Sequence, residues 1–114
     1  MTEGEQLRDF VFVDDVVAAI LKVAMADPAP VGQKYNVASG KAYKIIDVAR
    51  CIEGILNLTG SNLLKVGAVP YRPNEIMDYS ADVTAIWNQY GWRAQFSLFE
   101  GLEITVRKFG ALDC

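Results

Sequence analysis

The chain has 114 residues, with 52% hydrophobic and 22% charged, enough for one ordinary globular domain (1–114) and too rich in apolar residues for disorder. A net charge of −3, with eleven Lys and Arg scattered along the chain, excludes the basic face that nucleic acid requires. Histidine is absent, which removes Ser-His-Asp and Cys-His catalysis and most zinc sites.

In chain order, an acidic start, Met-Thr-Glu-Gly-Glu, does not resemble a signal peptide, and no apolar run is long enough to cross a membrane. A cytoplasmic protein without membrane contact is the expectation. Asp9-Phe10-Val11-Phe12-Val13 is rich in β-branched and aromatic residues and predicts a strand. Asp14-Asp15 predicts the helix N-terminus that follows, capped by its carboxylates, with an apolar stripe at Val16, Val17, Ile20, Leu21 and Ala24. Asp27-Pro28-Ala29-Pro30 ends that helix.

Lys34-Tyr35-Asn36-Val37 predicts a second strand, closed by Ser39-Gly40. The longest helix carries Ile45, Val48, Ala49, Ile52, Ile55 and Leu56 on one face, with Cys51 beside them as a small packed residue. Leu64 to Val69 alternates as a third strand would. Ser80 is placed to cap a helix bearing Val83, Ile86, Trp87 and Tyr90, which Gly91 ends before Trp92. Trp87, Tyr90 and Trp92 read as core. After Ser97 a last helix turns Leu98, Leu102, Thr105, Val106 and Phe109 inward. Cys51 and Cys114 form neither a disulfide framework nor a metal cluster. The fold class is therefore α/β, mainly helical, with about four helices and two or three short strands. Three strands separated by helices form no hairpin, so they look like pieces of a larger sheet.

The order of short motifs adds a family. Gln6-Leu7-Arg8-Asp9-Phe10-Val11-Phe12-Val13-Asp14-Asp15-Val16 and Tyr35-Asn36-Val37-Ala38-Ser39-Gly40 resemble the C-terminal part of extended short-chain dehydrogenase/reductases. Tyr71-Arg72-Pro73-Asn74-Glu75, Asp78-Tyr79-Ser80, Gly91-Trp92-Arg93-Ala94 and Ser97-Leu98-Phe99-Glu100-Gly101-Leu102 continue the likeness in register. Departures are Lys44 where a capping Ser or Thr is common, Asn74 for a turn glycine, and Ala81-Asp82 for Lys-Ala.

The family comprises NAD(P)-dependent nucleotide-sugar epimerases and dehydratases, and the match covers about Gly4 to Phe109. The glycine-rich turn that holds the dinucleotide is missing, since no two of the nine glycines lie two or three positions apart. No Tyr-x-x-x-Lys occurs at any of the five tyrosines. The resemblance therefore implies a detached C-terminal portion without cofactor binding or catalytic residues of its own. It also implies that Arg8 and Arg72 match arginines that hold the diphosphate of a nucleotide sugar, which suits the guanidinium fork. The plainer alternative is that each pairs with a nearby carboxylate, such as Asp9 or Glu75. Three readings stay open: a non-catalytic remnant with a weak nucleotide-sugar site, a subunit completed by a separate dinucleotide-binding chain, and an assembly module that forms a homodimer through exposed strand edges.

Overall fold

The computed structural model describes residues 1–112; Cys114 lies outside the described residues. Strand β1 (Leu7–Asp9) leads to helix α1 (Val13–Ala24), β2 (Ala42–Lys44), α2 (Ile45–Ile55), β3 (Asp78–Tyr79), α3 (Thr84–Tyr90) and α4 (Leu98–Leu112). The four helices and three short strands agree with the expected class. The strands differ in place.

β1 is the middle strand of a three-stranded sheet, antiparallel to β2 and parallel to β3. The predicted strand 9–13 is thus shifted: its ladder ends at Asp9, and Val13 already begins α1. Among the described residues, no backbone hydrogen bond ties 34–37 to another strand, so the strand expected there lacks a partner and does not form. Residues 64–69 turn instead of pairing as a strand, with the amides of Gly67 and Val69 bonding to Thr2 and Met1.

Asp15 acts differently from the helix-capping expectation, and Asp9 makes a similar clasp. Phe12, in extended geometry, precedes α1 with no side-chain cap, and Asp15 is buried. Its two carboxylate oxygens accept the amides of Gln95 and Phe96, each at 3.0 Å, tying α1 to the segment that enters α4. Asp9 accepts the amides of Ser39 and Gly40, both at 2.8 Å, and the Ser39 hydroxyl at 2.6 Å. The motif pairs recognised along the sequence are thus clasped to one another by carboxylates. α3 is preceded by Asp82, whose carboxylate takes the Thr84 amide; Ser80 bonds to Asp78 instead of capping. Ser97 and Glu100 form a reciprocal capping pair at the start of α4. The Ser97 amide, and then its hydroxyl, hold the Glu100 carboxyl below its usual range.

The core is small. Ala19, Ile86 and Trp92 form its centre, with Val11, Val23, Tyr35, Val37 and Tyr90 packed around them. Tyr90 meets Tyr35 edge-on at 5.4 Å. Trp87 is not core: it is 46% exposed, with the Arg93 guanidinium 5.2 Å above its ring. Phe109 is likewise exposed. Cys51 is half-buried and lines a groove between α2 and α4.

α1 carries large apolar residues on its open side, where Asp14 and Lys22 are its exposed charges. Asp15 and Ala19 face inward, while Val13, Val17, Ile20, Leu21 and Met25 lie outside, 48 to 80% exposed. Most of the sequence-read stripe is therefore on the open side. Large apolar residues gathered on the open side of a helix normally meet a cover. The whole molecule shows the same want of cover, being a slab of 53 × 40 × 18 Å. Its 8198 Å² of accessible surface exceeds by roughly 2,000 Å² the ~6,200 Å² of a compact monomer of this mass.

Candidate functional site

Arg8 stands in the middle strand, and Arg72 lies 64 residues later in the turn before β3. The parallel pairing of β1 with β3, begun by the Leu7 amide on the Met77 carbonyl at 2.7 Å, draws the two segments together. The Tyr71 hydroxyl accepts the Glu5 amide at 2.9 Å and pins the start of the turn. Asn74 adopts a left-handed φ of 63°, the conformation a glycine supplies at such a turn. The Glu75 amide then closes on the Arg72 carbonyl at 3.1 Å.

The result is an open groove of about 370 Å³ lined by Arg8, Arg72, Pro73, Asn74, Glu75 and Tyr79. Both sequence-predicted arginines line it. Their states differ. Arg8 is held: its Nη1 donates to the carbonyls of Leu7 and Ile76, each at 2.8 Å, and its Nη2 meets Glu75 Oε1 at 2.6 Å. The carboxylate partner is Glu75, one of the two foreseen, and not Asp9. Arg72 is exposed, and among the described residues no side chain pairs with its guanidinium. One tethered and one free guanidinium in a single groove make a place for an anion with several oxygens.

Sequence reasoning missed the parts of Tyr71 and Tyr79. Tyr71 stands in the quoted turn motif, and its spacing before Arg72 was the only signal. On β2, Lys44 pairs with Glu5 at 2.6 Å, and this hydrogen bond raises its pKa. Among the described residues no group of three His, Cys, Asp or Glu gathers to hold a metal ion. No described helix is long and apolar enough to cross a membrane.

Comparison with known proteins decides the family. The GDP-mannose 4,6 dehydratase family model matches residues 1–105. The chain belongs to that family. It is 32% identical over 108 residues to CDP-abequose synthase of Salmonella typhimurium, covering 94% of this chain and 36% of that protein. It is 31% identical over 107 residues to UDP-glucose 4-epimerase of Mycolicibacterium smegmatis, covering 94% of this chain and 32% of that enzyme. A UDP-glucose 4-epimerase from Thermotoga maritima, solved with UDP-glucose, superposes with a TM-score of 0.83 at 28% identity, over 97% of this chain and 34% of that one. A dTDP-glucose 4,6-dehydratase from Bacillus anthracis, solved with NAD, has the same fold over 95% of this chain at a TM-score of 0.79 and 21% identity. The chain spans about a third of the length of these relatives. The extended short-chain dehydrogenase/reductase resemblance is confirmed.

Proposed function

We propose that this chain is the C-terminal, substrate-side portion of a nucleotide-sugar epimerase or dehydratase, non-catalytic by itself, which grips the ligand's diphosphate between Arg8 and Arg72. The placement of these two arginines on one groove, from segments 64 residues apart, supports this most. Arg8 provides a fixed hydrogen-bonding edge, and Arg72 closes from the exposed turn. Hydride chemistry belongs to a dinucleotide-binding part, for which this chain has neither the glycine turn nor the Tyr-x-x-x-Lys pair.

Chemical-shift perturbation with UDP- and dTDP-sugars tests the grip. Amides of residues 6–9 and 71–80 are expected to move, and Arg8→Ala with Arg72→Ala is expected to weaken binding at least about tenfold, since charge-assisted bonds are lost at two positions. Shifts that persist unchanged in the double substitution would remove both residues from the site.

The uncovered face supports a second element of the proposal, self-association into a homodimer. β1 is shielded by β2 and β3, so the surface that invites a partner is the outer side of α1 together with the unpaired segment 34–37. The excess surface of roughly 2,000 Å² on one chain is more than the ~800 Å² that each partner buries in a standard protein interface. The same face suits a separate dinucleotide-binding chain, and purified protein distinguishes the two. Sedimentation equilibrium at micromolar concentration is expected to give about twice the chain mass of 12.6 kDa. A monomer throughout that range would favour the separate partner chain.

A further inference from the structure

We propose that Glu75 is an internal anion that occupies Arg8 and must be displaced before a phosphate can take its place. This rests on the anion-groove reading and goes a step beyond it. Arg8 does not need Glu75 to hold its position. Its Nη1 is already fixed by two backbone carbonyls, those of Leu7 and Ile76, each at 2.8 Å. Glu75 engages Nη2 alone, through a single carboxylate oxygen at 2.6 Å. It is therefore the replaceable partner, set where a ligand oxygen would bind.

The turn explains how it gets there. Arg72 and Glu75 are the first and last residues of one turn, closed by the Glu75 amide on the Arg72 carbonyl and shaped by the left-handed Asn74. The same four residues thus bring a free cation and a competing anion to one groove. Both side chains of the Arg8–Glu75 pair keep some solvent access, at 28% and 21%. An exchange of partners consequently needs no opening of the core. A diphosphate, with several charged oxygens, outcompetes one carboxylate by reaching Arg8 and Arg72 together. A singly charged anion gains little over Glu75.

The experiment titrates inorganic pyrophosphate into the full chain and into Glu75→Gln, followed by amide shifts that also report whether the variant is folded. Glutamine keeps the length and an acceptor oxygen while removing the charge. Glu75→Gln is expected to bind pyrophosphate about fivefold tighter, the scale of a partly exposed ion pair no longer opposing the ligand. Equal or weaker binding by a folded Glu75→Gln, with the unsubstituted chain binding, would overturn the proposal and make Glu75 a residue that positions Arg8. Absence of pyrophosphate binding by both proteins would instead defeat the anion-groove reading on which this rests, and the proposal with it. A second measurement does not need the variant. The Glu75 side-chain carboxyl carbon of the unsubstituted chain is expected to shift at pyrophosphate saturation as its guanidinium partner leaves. A resonance that stays in place while amides of 71–80 respond would show that the ligand binds without displacing it, which overturns the proposal.

Discussion

Replacing Asp15 by alanine is expected to cost about 3 kcal/mol, because the amides of Gln95 and Phe96 both lose their acceptor in a part-buried site. Asp15 is only 3% exposed, so its side chain cannot be removed without loosening the joint between α1 and the entry to α4. The residues that depend on this joint are close by. Trp92 is buried just before it, and the ring of Phe96 packs tilted against Phe12 at 4.8 Å. A small domain has of the order of 5–10 kcal/mol in all. Asp15→Ala is therefore expected to lower the urea midpoint by about a third or more, with Asp14→Ala, an exposed first-turn change, near neutral. Equal effects of the two substitutions would mean that both act through the helix terminus and that the buried clasp contributes little.

Gly4→Ala is expected to be comparably damaging, at about 2–4 kcal/mol, because two penalties coincide. Gly4 has a φ of 74°, where a side chain is disfavoured, and a Cβ there would sit 2.8 Å from both the backbone nitrogen and the Cβ of Ile46. Neither atom is free to retreat. The Ile46 amide donates to the Gly4 carbonyl at 2.9 Å, and Ile46 is itself buried. Gly54→Ala is the matched control, lying in α2 with open space around its Cβ, and is expected to stabilise by up to about 1 kcal/mol. Thermal melts of the two variants should move in opposite directions. A Gly4→Ala protein that melts with the unsubstituted chain would show that the N-terminal segment is not packed on α2 as described.

The helices were legible in the sequence where one apolar face decides the matter. α2 and α4 follow the spacing of their apolar residues, and Ser97 marked the start of α4, where it pairs with Glu100. α1 was legible as a helix and misleading as to its face. Its most buried residues are Asp15 and Ala19, which the apolar stripe did not include, whereas Val13, Val17, Ile20 and Leu21 point outward. Periodicity reports a face that wants cover, not whether this chain supplies it.

The strands show the same limit. Val11, Tyr35 and Val37 have strand-forming side chains and pack beside Ile86 and Trp92, yet among the described residues no backbone neighbour takes their backbone groups. The real strands, Leu7–Asp9, Ala42–Lys44 and Asp78–Tyr79, are too short for any propensity to reveal. Of the site, Arg8 and Arg72 were found through the motifs, together with the alternative partner Glu75. Their meeting in one groove depends on the β1–β3 pairing across about seventy residues, which no local pattern encodes. Asp9 was likewise noted only as a candidate ion-pair partner, while its carboxylate closes the Ser39–Gly40 turn.

The central claim is a division of labour: this chain grips the nucleotide sugar and leaves the dinucleotide to a part it does not contain. Titration calorimetry on the isolated chain, with a UDP- or dTDP-sugar in one arm and NAD and NADP at millimolar concentration in the other, tests it most directly. Weak, saturable heat with the nucleotide sugar, and none with either dinucleotide, is the expected result. Saturable binding of NAD or NADP, or a nucleotide-sugar arm as silent as the buffer blank, would contradict it.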